Sequence, residues 1–115
     1  MSIKHLDDDA LRELEVVMGD DFVTLLQTFA TDSAARIAAI QQTAAAADSE
    51  ALRRAAHSFK GSSGNMGAHL LSELCRQIED FARDGAVAPC MPLIAELSDE
   101  FARVQRELKR FSHCD

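Results

Sequence analysis

Apolar residues recur at intervals of three and four positions along most of the chain, and this spacing places them on one face of an α-helix. Breaks in the pattern divide it into five predicted helices. The breaks fall at Gly19, at 44–49, at Gly67 and between Asp84 and Pro92, where residues typical of helix ends replace the apolar ones. Asp7 is suited to cap the first helix and Asp48 or Ser49 the third, because their side-chain oxygens can accept hydrogen bonds from free backbone N–H groups.

Each predicted helix carries a stripe of apolar side chains that we expect to face a common core. The predicted inward positions are Leu11, Leu14 and Met18; Phe22, Leu26, Phe29, Ile37 and Ile40; Leu52, Ala55, Ala56, Phe59 and Met66; Leu71, Leu74, Cys75, Ile78 and Ala82; and Ile94, Leu97, Phe101, Val104, Leu108 and Phe111. Four long amphipathic helices joined by short loops pack most simply as an antiparallel up-down-up-down bundle. The predicted fold is therefore all-α, a four-helix bundle with a short additional N-terminal helix, and a single domain over residues 1–115.

The charge of the chain limits its partners. A formal net charge of -7 and a pI near 5.0 disfavour duplex nucleic acid and anionic membranes, because binding to either depends on clustered Lys and Arg. The sequence has no apolar run long enough to span a membrane and no signal-peptide pattern at its start. We therefore expect a cytoplasmic protein, monomeric, with neither nucleic acid nor membrane among its partners.

Among the three cysteines, Cys75 lies on an apolar helical stripe, where we expect it to serve packing. Cys75, Cys90 and Cys114 are odd in number and lack a C-x-x-C spacing, which disfavours a disulfide framework and a zinc site. His113 and Cys114 are adjacent but provide only two ligands. We expect reduced thiols, no bound metal and no cofactor.

The predicted third helix places a histidine opposite the core. With about 100° per residue and Leu52 as reference, the inward residues of this helix fall within about 60°, whereas His57 lies about 140° away. The residues predicted to surround His57 on this face are Arg53, Lys60, Gly61 and Gly64. All 19 acidic residues lie outside residues 51–66, so this helix presents a basic face on an acidic protein.

These neighbours suit phosphoryl transfer. A neutral imidazole has a free nitrogen lone pair that can attack phosphorus, and the ammonium of Lys60, one turn onward, can stabilise the charge of the transferring group. Gly61 also lies one turn from His57 and costs about 1 kcal/mol in helix propensity relative to Ala. A glycine here would allow another protein to approach the imidazole closely.

The segment His57-Ser58-Phe59-Lys60-Gly61-Ser62-Ser63-Gly64-Asn65-Met66-Gly67 resembles the H-x-x-K-G-x-x-x-x-[apolar]-G signature of histidine phosphotransfer (HPt) domains. The resemblance implies a four-helix bundle in which His57 carries the phosphoryl group, Lys60 stabilises it and Gly61 leaves room for the partner. In many members a Gln on the following helix orients the histidine. The position at that offset is Glu79, and Gln77 lies half a turn away, so the orienting residue stays open.

The resemblance implies a phosphocarrier without kinase activity of its own, which relays a phosphoryl group between receiver-domain aspartates of hybrid sensor kinases and response regulators. The residues predicted to contact these partners are Arg53, Gly61, Gly64, Arg76, Glu79 and Arg83, although Arg76 and Arg83 are equally consistent with solvated surface. His5 is expected in a frayed terminus and His69 at the start of the fourth helix. The main alternative is a four-helix scaffolding module that never carries phosphate. An acid-base enzyme centred on His57 is disfavoured, because an outward helix face offers no closed pocket.

Overall fold

The computed structural model describes residues 5–112, which form five α-helices and one 3-10 turn. They are α1 (Asp8–Met18), the 3-10 turn (Gly19–Asp21), α2 (Phe22–Ala45), α3 (Ser49–Asn65), α4 (His69–Arg83) and α5 (Cys90–Ser112). Helices α2 and α4 each pack against both α3 and α5, and α1 packs against α2. The predicted four-helix bundle with a short N-terminal helix is confirmed. None of the helices described in residues 5–112 is long and apolar enough to cross a membrane.

The apolar stripes meet in one core cluster that draws on every helix. Three phenylalanines cross its centre, since the ring of Phe101 on α5 contacts Phe29 on α2 and Phe59 on α3 edge to face, each at a centroid distance of 6.5 Å. The predicted inward positions are mostly buried. Leu14, Met18, Ala55 and Phe111 are half-buried and pack at the margin of the core.

Aspartate side chains begin the first and third helices as predicted. The Asp7 carboxylate accepts a hydrogen bond from the Ala10 backbone N–H at 3.1 Å, and Asp48 accepts one from Ala51 at 3.1 Å. Asp48, rather than Ser49, is therefore the cap of α3. These bonds satisfy backbone N–H groups that have no partner within the helix.

Gly67 ends α3 and receives the N-terminal segment. Its φ of +75° lies in the left-handed region, and the N–H groups of Gly67 and Ala68 bond back to the carbonyls of Gly64 and Ser63 in a Schellman motif. A Cβ at Gly67 would lie 3.0 Å from the Cβ of Asp7, whose N–H donates to the Gly67 carbonyl. The signature glycine is therefore required by both backbone conformation and close approach.

Two details differ from the predictions. Helix α5 begins at Cys90 rather than after Pro92, because a proline in the first turn removes only an N–H that has no helical partner. His5 was expected to be frayed, but its Nδ1 lies 2.7 Å from the buried carboxylate of Glu100, which fixes it. His69 begins α4 as predicted.

Cys75 and Cys90 are buried free thiols, which agrees with the packing role predicted for Cys75. Burial raises the pKa of Cys75 to about 12, and the neighbouring charge of Glu79 adds to this effect. Such a thiol is protonated and unreactive at neutral pH. His113 and Cys114 lie outside the described residues.

Candidate functional site: an exposed histidine on a buried carboxylate

Helix α3 holds His57 on its outer face. Leu52, Ala56 and Phe59 anchor the helix in the core and are fully buried. Because His57 is offset from this stripe, its side chain remains 63% exposed. The helical-wheel prediction that the imidazole faces away from the core is confirmed.

Glu79 on α4 lies beside the imidazole. Its side chain is only 3% exposed, and its Oε2 atom is 2.8 Å from His57 Nδ1. Its other oxygen, Oε1, is 2.7 Å from Lys60 Nζ, and Arg83 donates to Oε2 at 3.3 Å. One buried carboxylate therefore links the histidine and lysine of the signature to an arginine on the next helix.

The charge state of Glu79 decides how this group is bonded. Burial by itself raises the pKa of Glu79, but the contacts with Lys60 and His57 lower it by more, and the net pKa lies below its ordinary value. Glu79 is therefore a carboxylate at neutral pH and can only accept hydrogen bonds. It follows that His57 Nδ1 carries the proton, and that Nε2 of the neutral ring carries the lone pair.

The identity of the residue beside Nδ1 was left open by the sequence. The structure brings Glu79 to His57, whereas Gln77 donates to Glu73 at 3.1 Å on the surface of α4. One sequence signal was available, since Glu79 follows Cys75 by one turn and adjoins Ile78, two residues of the apolar stripe. An acid at a buried helical position requires a charged partner, and Lys60 is that partner.

The arginines predicted to surround the site are largely engaged with acidic side chains. Arg53 forms a two-bond pair with Glu50 at 2.8 and 3.0 Å, and Arg76 binds both Glu73 and Asp80. Arg83 binds Asp80 as well as Glu79. Lys60 and Arg83 bind Glu79 directly, and Arg53 is close enough to interact with its charge. Arg76 has no direct ion pair with Glu79 among those described in residues 5–112 and connects to it through Asp80 and Arg83.

The two glycines of α3 occupy different surroundings. A Cβ at Gly61 would meet nothing within 4 Å, so this position is open. A Cβ at Gly64 would lie 3.6 Å from Ser72 Oγ on α4, and Ser72 also donates to the Lys60 carbonyl at 3.1 Å. Gly61 therefore leaves space in front of α3, whereas Gly64 lies against α4.

Two surface grooves are lined without His57. One lies between α2 and α5, beside Leu26 and Leu108, and the other lies between α2 and α3, beside Phe29 and Met66. Within residues 5–112 no group of three or more His, Cys, Asp or Glu residues is placed to hold a metal ion. The groups that the structure brings together around His57 are its imidazole, the carboxylate of Glu79 and the ammonium group of Lys60.

A bundle of this form with an oriented, exposed histidine defines the histidine phosphotransfer class. The family model of the Hpt domain matches residues 24–107, and the chain belongs to this family. A solved structure, histidine-containing phosphotransfer protein B (HptB) from Pseudomonas aeruginosa, is similar with a TM-score of 0.93 and 42% sequence identity over 96% of each chain. No curated protein sequence gives a significant match.

Proposed function

We propose that this protein accepts a phosphoryl group on Nε2 of His57 from a receiver-domain aspartate and passes it to another receiver domain. The observation that carries the proposal is the contact between His57 Nδ1 and the Glu79 carboxylate at 2.8 Å. This contact leaves the Nε2 lone pair directed away from the carboxylate on a ring that is largely exposed. The nucleophile is thus oriented without being enclosed.

Lys60 provides the charge that the transferring group requires. Its side chain is one-third exposed and its ammonium lies one helical turn from the imidazole. A loose phosphoryl-transfer transition state is stabilised mainly by positive charge and in-line positioning. In the unphosphorylated protein this charge is directed at Glu79 Oε1, 2.7 Å away, and a phosphoryl group on Nε2 would share it.

The receiver domain supplies the aspartate that exchanges the phosphoryl group with His57. We propose that receiver domains of hybrid sensor kinases and response regulators dock on the faces of α3 and α4 around His57, with Gly61 beneath the approaching aspartate. A relay must release one receiver before it meets the next, so we expect a small interface of less than about 1,200 Å² in total. The protein acts as a monomer and has no kinase activity of its own in this proposal.

The proposal also covers the domain organisation of the chain and its location in the cell. The core cluster draws on every helix between Asp8 and Ser112, which supports one domain over residues 1–115. A cytoplasmic location fits the relay, because the ATP from which its phosphoryl groups derive is a cytoplasmic metabolite.

The test is transfer of a radioactive label from a receiver domain that has been charged with labelled acetyl phosphate. The wild-type protein should gain a label that is labile in acid and stable in base, as expected of phosphohistidine. The His57→Gln variant should gain none. It should keep its helicity and lose at most about 1 kcal/mol of stability, because the imidazole is exposed and Lys60 and Arg83 still bind the buried carboxylate of Glu79. Equal labelling of wild type and His57→Gln would contradict the assignment.

A second histidine provides the matched control. His69 lies on α4 and its side chain is 66% exposed, close to the value for His57. His69→Gln should be labelled like the wild type, which shows that exposure alone does not make a histidine an acceptor. If the wild-type protein binds charged receivers and gains no label, the scaffolding alternative replaces the relay.

A further inference from the structure

The residue at Nδ1 of His57 is a carboxylate, and its charge has consequences that an amide at the same place would not have. Both groups accept a hydrogen bond from Nδ1–H, but only the carboxylate attracts a positively charged ring. The contact at 2.8 Å is within the range of a charge-assisted hydrogen bond. Glu79 also lies in a nearly water-free position, where screening of its charge is weak.

We propose that Glu79 is a positioning residue that keeps the Nδ1 proton on His57 after phosphorylation, so that the phosphorylated ring is a phosphoimidazolium cation. This inference rests on the proposed function and names a property of that same site. It separates this chain from a site in which a neutral amide holds the histidine. The carboxylate makes phospho-His57 a competent donor at higher pH than an amide would.

The bonds and charges of the step balance without any proton transfer. The Nε2 lone pair attacks the phosphorus of the receiver's aspartyl phosphate, the Nε2–P bond forms, and the P–O bond to the aspartate breaks. The electron pair of that bond leaves with the aspartate carboxylate, and the ring becomes a cation because Nδ1 retains its proton. In the donating direction the ring leaves as neutral imidazole, which is a far better leaving group than the anion that would leave from a deprotonated ring.

The charged groups around the ring determine whether Glu79→Gln raises or lowers the pH at which the phosphorylated ring loses its Nδ1 proton. Helix α3 contributes Lys60, and α4 contributes Glu79 and Arg83, both cations being bound to the carboxylate. Replacing Glu79 by Gln would leave Lys60 without this anion and Arg83 paired with Asp80 alone, so the two cations near the ring would be less fully neutralised. Their repulsion disfavours a proton on Nδ1 of the phosphorylated ring.

The charged groups on the other helices near the site do not change the direction of this shift. Helix α2 brings Arg36 to Ser58, which adjoins His57, and this is a further positive charge. Helix α5 packs on α4, but its buried acid, Glu100, binds His5 and Arg103. The Cys75 thiol is neutral, because burial raises its pKa to about 12. Glu79 is therefore the anion that the described contacts place on the ring.

The experiment compares the pH dependence of two readouts in the wild type and in Glu79→Gln. The first is the rate of transfer from phospho-His57 to a receiver domain between about pH 6 and about pH 9. The second is the 31P chemical shift of phospho-His57 over the same range, after loading with phosphoramidate, which requires no receiver. We expect both midpoints to be lower in the variant by about one unit or more.

A matched control removes a carboxylate from the same helix without touching the ring. Glu73 lies on the exposed side of α4 and pairs with Arg76, so Glu73→Gln changes the net charge by the same amount and should leave both midpoints in place. A 15N spectrum of the unphosphorylated ring reports whether Glu79→Gln still holds Nδ1 as the protonated nitrogen.

The outcomes distinguish this inference from the proposed function. Equal midpoints in the wild type and Glu79→Gln, with both proteins accepting label from a receiver, would overturn the inference and leave the relay intact. A lower midpoint after phosphoramidate loading, together with no transfer from any receiver, would retain the role of Glu79 and reject the relay. If His57 takes phosphate from neither source, both fail.

Discussion

The replacement of Gly61 should improve the fold and impair the function. Its Cβ would meet nothing within 4 Å, so Gly61→Ala gains helix propensity without a steric cost, about 1 kcal/mol. For a domain of this size that gain raises the melting temperature by about 4 °C. Gly61→Gln should be stabilised by a similar, slightly smaller amount, because Gln is also a good helix former.

Transfer should change in the opposite direction. The new side chain lies one turn from His57, within about 6 Å of its Cβ, in the space through which the receiver aspartate must approach. In-line transfer requires reacting atoms within about 3.5 Å, and a displacement of about 1 Å can cost on the order of a hundredfold. We expect a few-fold loss of rate for Ala, and for Gln a loss on the order of a hundredfold or more.

The assay measures the melting temperature and the rate of transfer from a charged receiver on the same preparations. Ala102→Gln is the control, because Ala102 is an exposed position on α5, the helix diagonal to α3 in the bundle. This variant adds the same side chain to a helix surface away from His57 and should transfer at the wild-type rate. A stable Gly61→Gln protein that also transfers at the wild-type rate would refute the close-approach argument.

Two further predictions concern the carboxylate and its lysine. Lys60→Ala should slow transfer without abolishing it, since the nucleophile remains. It should also lower the free energy of unfolding in urea by about 1 to 3 kcal/mol, because the buried carboxylate of Glu79 loses a partner. Equal transfer rates in the wild type and the variant would remove Lys60 from the mechanism. The pKa of Glu79 is lowered by folding, so its contribution to stability is complete above its ordinary value of 4.5 and is lost as the pH falls below it. When the pH is lowered from about 6 to about 3, the free energy of unfolding in urea should therefore fall further in the wild type than in Glu79→Gln. Equal decreases in the two proteins would mean that folding does not shift this pKa.

The sequence predicted the bundle because its signals are local. Apolar spacing identified the inward faces, and Asp7, Asp48 and Gly67 marked helix ends through contacts with their own neighbouring backbone. The outward position of His57 followed from the same periodicity. These features depend on residues a few positions apart, which a helical wheel represents correctly.

The partner of His57 was not predictable in the same way. The contact with Glu79 spans 22 residues and depends on how α3 and α4 are aligned, which apolar spacing does not determine. The sequence also indicated a strongly basic face around His57, because charges were counted within residues 51–66 alone. Helix α3 begins at Ser49 and so contains Glu50, which binds Arg53. Packing adds two acids of α4, since Glu79 binds Lys60 and Asp80 binds Arg83.

The burial of Glu79 reconciles two demands that conflict at a transfer site. A nucleophilic histidine must be exposed to meet a partner protein, yet an exposed side chain rotates freely and exchanges its ring protons with water. Placing the orienting acid in the interface of α3 and α4 fixes one side of the ring and leaves the other side accessible. The cost of burying that charge is offset by Lys60 and Arg83. The lysine proposed to stabilise the phosphoryl group therefore also stabilises the acid beside the histidine. Because both proposed roles depend on one ammonium group, we expect phosphorylation of His57 to weaken the contact between Lys60 and Glu79 and to strengthen the contact between Glu79 and the ring.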